Sequence, residues 1–259
     1  HAHDRKSAST AHLRLGPSIS SAKIGVVGVN GSGKSTLLNA VAGTFFVDEG
    51  TIRLADKNIT RWPEHKRARL VGRVFQDPFS GTAPSMTIAE NLAMAARRGL
   101  RRGLLPALTS TKKNDLRDRV AAMGLGLEDR LDNPIGTLSG GQRQSLTLLM
   151  AGLRRPSILL LDEHTAALDP KSADQVIHLT QQFIEKDRLT TMMVTHSMPQ
   201  AASLGDRVIM MDRGRIVMDI SGQEKKRLRP EGLLAKFEEL RRANQLDEAA
   251  AEILRAQYI

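Results

Sequence analysis

Residues 23–42 read KIGVVGVNGSGKSTLLNAVA, and this stretch decides the fold. It opens with Lys23 to Val27, a short run of strand type, passes through a glycine-rich turn, and continues from Lys34 to Ala42 with Leu37, Leu38 and Val41 at helical spacing. Within the turn, Gly28, Val29, Asn30, Gly31, Ser32, Gly33, Lys34 and Ser35 set two glycines five positions apart ahead of a Lys–Ser pair. Glycines there let successive amides point inward at one anion, and the following helix adds the positive end of its dipole. Lys34 supplies a compact cation for the β- and γ-phosphates of a nucleotide, and the Ser35 hydroxyl can hold Mg²⁺. Thr36 completes the contact set.

Working outward, Thr51 to Leu54 and Leu70 to Phe75 have strand character, the second stopping at Gln76, Asp77 and Pro78. Ser157 to Leu161 is apolar after its serine, as expected of a strand buried on both faces, and it runs into Asp162 and Glu163. Ala173 to Lys186 places Val176, Leu179, Phe183 and Ile184 on one helical face. Thr191 to Val194 is a further strand ending at Thr195 and His196; Val208 to Met211 and Ile216 to Ile220 form a hairpin across Asp212, Arg213 and Gly214. Strands alternating with helices imply a mostly parallel sheet covered on both faces. From Thr87 to about Leu153 the pattern is helical, punctuated by Gly99, Gly103, Pro106 and Pro134. The chain is therefore expected to be one α/β domain: a core over residues 1–77 and 156–223, an inserted helical subdomain over 78–155, and a helical tail over 224–259. In the tail, Leu233, Leu234, Phe237 and Leu240 have core-like spacing.

A length of 259 residues with 41% hydrophobic and 25% charged residues suits such a domain and excludes a wholly disordered or collagen-like chain. The absence of cysteine removes disulfide frameworks, thiolate metal sites and cysteine nucleophiles. No uncharged apolar run reaches the roughly 18 residues of a spanning helix, and the first residues, HAHDRKSAST, lack an apolar signal core. The net charge of +10 suits an anionic partner. Aromatic residues at 3%, with Trp62 and Tyr258 the single members of their types, leave little for a base-stacking platform, so nucleic acid is not the expected partner. A basic stretch holds Arg97, Arg98, Arg101, Arg102, Lys112, Lys113, Arg117 and Arg119 against Asp115 and Asp118; a solvated helix face accounts for it as well as a contact with anionic lipid does.

Asp162, closing an apolar strand, is placed to reach the water shell of a magnesium ion. Glu163, one residue on, is the candidate general base for a water in line with the γ-phosphate. Further motifs then carry a resemblance. Leu138, Ser139, Gly140, Gly141 and Gln142, lying 105 residues beyond Lys34 and shortly before LLLLDEHTAALDP, are similar to the LSGGQ signature of ATP-binding-cassette (ABC) proteins. Gln76 in VFQDP resembles that family's Q-loop, Ala167, Leu168 and Asp169 its D-loop, and His196 in MVTHS its switch histidine.

The resemblance implies a P-loop NTPase core of RecA type with a small antiparallel β-subdomain, and a transport ATPase using ATP and Mg²⁺. It implies a head-to-tail dimer holding two ATP molecules, each phosphate loop facing the Ser139, Gly140, Gly141 and Gln142 of the other subunit. Gln76, Asp162 and Ser35 would serve the metal, Gln76 would also sense the attacking water, and His196 would hold the γ-phosphate and Glu163 in register. The expected role is solute uptake, with an amino acid as first cargo, through a separate membrane permease and, indirectly, a periplasmic or extracellular solute-binding protein. The chain would sit peripherally on the cytoplasmic face of the inner membrane. Two other cassette roles are weighed against this: a soluble ATPase acting on nucleic acid or ribosomes, and an exporter cassette. Ribosome-acting members resemble two fused cassettes, and 105 residues leave no room for the long coiled coil of DNA-repair members. The family also carries an aromatic residue upstream of the phosphate loop to stack adenine, whereas no Phe, Tyr or Trp precedes Phe45 here. His3, His12 or an arginine would have to substitute, which points to weak ATP affinity or loose base selectivity. The first strand of the antiparallel sheet is likewise hard to find in residues 1–21, which suggests an altered start.

Overall fold

The protein is described by a computed structural model over residues 22–100 and 108–227 and, beyond them, at positions 229, 231–236, 238, 239 and 242. In chain order its elements are β1 (Lys23–Val27), α1 (Lys34–Ala42), β2 (Arg53–Leu54), β3 (Lys57–Asn58), α2 (Glu64–Arg67), β4 (Val71–Val74), α3 (Ile88–Ala96) and α4 (Ser110–Ala121). There follow α5 (Gly140–Gly152), β5 (Ile158–Asp162), α6 (Pro170–Asp187), β6 (Thr191–Val194), α7 (Met198–Leu204), β7 (Arg207–Asp212), β8 (Arg215–Ser221) and α8 (Gly222–Arg227).

The main sheet has the order β4-β5-β6-β1-β7-β8 among the described residues. Its first five strands run parallel, and β8 turns back antiparallel on β7. β2 and β3 pair antiparallel as a separate small ribbon. Side chains alternate across a strand, so β5 serves two cores. Leu160 joins Ile24, Val26, Leu38, Met192 and Ile209 on one face of the sheet. Leu159 and Leu161 pack with Val74, Leu148, Ile184 and Met193 on the other. That double burial is why the strand reads as an unbroken apolar run.

The helices after β4 build a core of their own from Ile88, Leu92, Val120, Leu127, Ile135, Leu146 and Leu149. α5 belongs to both: Leu146 and Leu149 face this helical core, while Leu148 and Ala151 face the sheet. Near-complete burial from Arg143 to Gly152 follows from that position. A smaller cluster joins Val27, Ala201, Val208 and Met210 to Leu233 of the tail; Leu234 is exposed, and Phe237 and Leu240 lie outside the described residues.

Arg67 locks α1 to the segment around the small ribbon. It is fully buried, and its guanidinium donates to the carbonyls of Trp62 (2.8 Å), Thr60 (2.9 Å), Ala40 and Val41. Two of these carbonyls are among the last of α1, which a helix leaves without internal partners. Four of the eight cations of the basic stretch make internal contacts. Lys113 pairs with Asp132, Arg117 with Asp129 and Arg119 with Asp115, and Arg98 donates to the carbonyls of Ala68 and Ala151. Arg101 and Arg102 lie outside the described residues. Among the described residues no helix is long and apolar enough to cross a membrane.

Candidate functional site

Every parallel strand that carries a chemically active residue delivers it at the same edge. β1 ends at the phosphate loop, β4 two residues before Gln76, β5 at Asp162 and β6 two residues before His196. In open α/β sheets ligands bind outside the carboxyl ends of the strands.

The phosphate loop is held in a tight turn. Ser32 donates its amide to the Val29 carbonyl at 3.2 Å, and the Gly214 amide donates to the Ser32 carbonyl at 2.9 Å. Gly28 is obligatory in two ways: its φ is +155°, and a Cβ there would overlap the Met211 carbonyl and approach the Ser32 hydroxyl at 2.6 Å. Gly33, in left-handed conformation, starts α1 without a capping side chain, so the first amides of that helix stay open to an external acceptor. Ser32 Oγ is buried with no hydrogen-bond partner among the described residues. Lys34 Nζ donates to the carbonyls of Gly28 and Val29, each at 2.9 Å. Its pKa is lowered by burial, against the opposing pull of the Glu163 and Asp162 carboxylates. Uncapped amides, an orphaned hydroxyl and a buried lysine form a cradle that fits a phosphate chain. Asn30, Gly31, Ser35 and Thr36 form the exposed rim of this cradle.

Asp162 stands opposite. Its Oδ1 lies 3.4 Å from Ser35 Oγ and its Oδ2 3.4 Å from Arg73 Nη2. A hydroxyl and one carboxylate suit Mg²⁺, which keeps water and takes its other ligands from phosphate. Glu163 has a left-handed backbone, φ +46°, and donates its amide to Val194 at 3.0 Å. This strained turn aims its largely buried carboxylate at His196, whose Nε2 lies 2.7 Å from Glu163 Oε1. Gln76 is exposed beyond the end of β4, and no hydrogen bond links it to Asp162 or Glu163 among the described residues.

The signature residues stand apart from this cluster. Ser139 caps α5: its hydroxyl accepts from the Gln142 amide at 3.3 Å, and the Gln142 side chain accepts from the Ser139 amide at 3.3 Å. Among the described residues the serine O–H donates to no partner, and it stands at the positive end of the helix. No contact joins Ser139 to the chain's own Lys34 or Ser35 among the described residues. A Cβ at Gly140 would meet Leu168 and Pro78 at ordinary contact distance, whereas one at Gly141 would come within 2.7 Å of the Ser172 Cβ. Asp169 caps α6 by accepting from the Ser172 amide at 3.0 Å, and Pro170 follows at the helix start; hydrogen bonding from the Ser172 side chain and then from its amide lowers the Asp169 carboxyl pKa.

Three polar residues of the site go beyond those read from the sequence. Arg73, which pairs with Asp162 and lies over the Phe75 ring, could have been suspected from a charge inside the apolar run VGRVF. Arg143 lies over Phe79 and donates to the Thr82 hydroxyl, and Gln144 reaches the ends of two strands; both directly follow the run LSGGQ, which says nothing of these distant contacts.

A mostly parallel sheet bearing a cradle that fits phosphate, an acid beside the Ser35 hydroxyl and a carboxylate–histidine pair at its carboxyl edge is the arrangement of a nucleotide-hydrolysing α/β protein. The ABC transporter family model matches residues 19–166, and the chain belongs to this family, as an ATP-binding and ATP-hydrolysing cassette. It is 46% identical over 215 residues to a tyrosine transport ATP-binding protein of Clostridioides difficile (strain R20291), an alignment covering 83% of this chain and 85% of that protein. It is 35% identical over 194 residues to the thiamine import ATP-binding protein ThiQ of Haemophilus influenzae (strain 86-028NP), covering 75% of this chain and 85% of the relative. Among solved structures, the dimeric post-hydrolysis state of the ATP-binding cassette MJ0796 bound to ADP and Pi superposes with a TM-score of 0.66 at 26% identity, over 78% of this chain and 86% of the other.

Proposed function

We propose that this chain powers solute uptake through a separate membrane permease, with an amino acid as cargo. The names of the relatives support this reading: the first acts in tyrosine transport and the second in thiamine import. Two copies, or this chain and a paired cassette, bind two ATP molecules between them on the cytoplasmic face of the inner membrane, and a solute-binding protein delivers cargo to the permease. Asn30, Gly31, Ser32, Gly33, Lys34, Ser35 and Thr36 bind the phosphates. Ser35, Gln76 and Asp162 would hold Mg²⁺, which would supply positive charge to the β- and γ-phosphates. Glu163 takes the proton of the attacking water and His196 keeps its carboxylate in line. Ser139, Gly140, Gly141 and Gln142 close on the γ-phosphate of the other subunit, and Asp169 lies at the junction. Adenine, with no upstream aromatic to stack on, is held weakly; the candidate substitutes His3 and His12 lie outside the described residues.

The observation that carries the hydrolytic reading is the 2.7 Å approach of His196 Nε2 to Glu163 Oε1 at the strand edge beside Lys34. Glu163→Gln tests it: phosphate release should nearly cease while ATP binding and ATP-dependent dimers persist, because the amide keeps the shape but accepts no proton. Undiminished hydrolysis would remove Glu163 from the role of base. For the transport reading, the chain should copurify with an integral membrane protein; copurification with ribosomes instead would defeat it.

A further inference from the structure

The Gln144 side chain is buried on the second turn of α5. Its Nε2 donates to the carbonyl of Phe75 at 2.8 Å and to the carbonyl of His164 at 2.8 Å. Both partners are carbonyl oxygens, so only the NH₂ end of the amide satisfies them, and both of its N–H groups are used. The first carbonyl belongs to the peptide that ends in Gln76. The second belongs to the residue immediately after Glu163. Each lies just past the point where a strand leaves the sheet: the pairing of β4 with β5 ends at Val74 and Leu161, and that of β5 with β6 at Asp162 and Val194. Neither carbonyl therefore has a ladder partner, and one side chain supplies both.

The same helix is capped by Ser139, and its first turn packs closely on α6 at Gly141. That glycine lies so close to Ser172 of α6 that no side chain fits. A shift of the signature end of α5 is thus passed to Gln144 within little more than one helical turn.

We infer that Gln144 is a positioning residue which ties the signature helix to both hydrolytic loops of its own subunit, setting Gln76 and Glu163 together. The inference rests on the reading of Glu163 as the base. Because Ser139 is read as facing the nucleotide of the opposite subunit, the tie makes closure over one nucleotide a condition for correct placement of the base at the other.

The test uses the full chain carrying Gln144→Met, which keeps length and volume but donates nothing, and Gln144→Glu, which turns the donor into an acceptor facing two carbonyls. ATP affinity by equilibrium titration should stay within about twofold while kcat falls about 10- to 100-fold, as expected when a reacting group is displaced. Amide hydrogen exchange should rise in the peptides containing Gln76 and Thr165 and stay unchanged over β1 and α1. Should one variant fail to fold, the other is read by the same criteria. A kcat within about twofold of the parent, or a slow variant whose two loops exchange as in the parent, would overturn the tie. Undiminished turnover in Glu163→Gln removes the base alone; faster exchange at both loops in Gln144→Met would then still uphold the tie, and parental exchange would sink it.

Discussion

His196→Ala isolates the orientation of the base from its presence. Removing the imidazole deletes the 2.7 Å contact with Glu163 Oε1. The Glu163 backbone stays in place, because its left-handed turn and the hydrogen bond from its N–H to the Val194 carbonyl do not depend on the histidine. A hydrogen bond to a charged group contributes about 1.5–3 kcal/mol, and about 1.36 kcal/mol is tenfold in rate. The His196 side chain is 46% exposed in the single subunit, where water competes for the carboxylate, so the low end applies there: about tenfold. With the other subunit covering the site, the loss rises toward about 150-fold. The assay is phosphate release at saturating Mg²⁺ and ATP, with nucleotide affinity measured by titration. The expected signature is a fall in kcat with affinity changed less than about threefold, since no hydrogen bond or ion pair joins His196 to the phosphate loop among the described residues. Fold stability should move by no more than about 0.5 kcal/mol at this half-exposed position. A kcat within about twofold of the parent, or a fall in affinity that accounts for the whole effect, would refute the reasoning.

Lys34→Ala removes the buried ammonium and should weaken nucleotide binding itself by about 10- to 150-fold, the value of one charge-assisted hydrogen bond; unchanged affinity by titration would contradict the phosphate assignment. Arg67→Met strands four carbonyls that the guanidinium now satisfies and should cost at least about 3 kcal/mol in denaturant unfolding; a loss under about 1 kcal/mol would show that water replaces the arginine freely. His164 is buried, its Nε2 3.1 Å from Thr180 Oγ1, and burial pushes its pKa down to about 4. Its folded pKa lies below the unfolded value, so the unfolded chain binds the proton first and stability falls as pH drops from about 6.5 to about 4, by up to roughly 3 kcal/mol. His164→Gln should flatten that part of the stability profile, and an unaltered slope would show that other groups cause it.

The hydrolytic cradle was legible because its chemistry is local. The phosphate loop depends on neighbours in sequence, and the carboxylates follow an apolar strand directly, so GVNGSGKS and LLLLDE could be read where they stand. The hairpin across Asp212 to Gly214 was readable for the same reason, since a turn is decided by adjacent residues; the helix over Ala173 to Lys186 was readable from its apolar face, while its start at Pro170, capped by Asp169, was not. Expected and observed ends differ modestly, as with Leu70 to Phe75 against Val71–Val74, because the last residues of a strand count only where a neighbour pairs with them. The short helices α2 and α7 escaped notice, being too brief for a hydrophobic period.

The sequence by itself determined which residues could meet phosphate, metal and water, since those abilities belong to the groups themselves and to the turn that carries them. Only the tertiary structure decided which of them stand together. The strand order puts β6 beside β5 and thereby sets His196 against Glu163; the pairing of β4 with β5 brings Arg73 to Asp162; the lodging of α5 between two cores carries Gln144 to the ends of two strands. These meetings join residues far apart along the chain, and they exist only after the apolar faces of sheet and helices have been buried against each other.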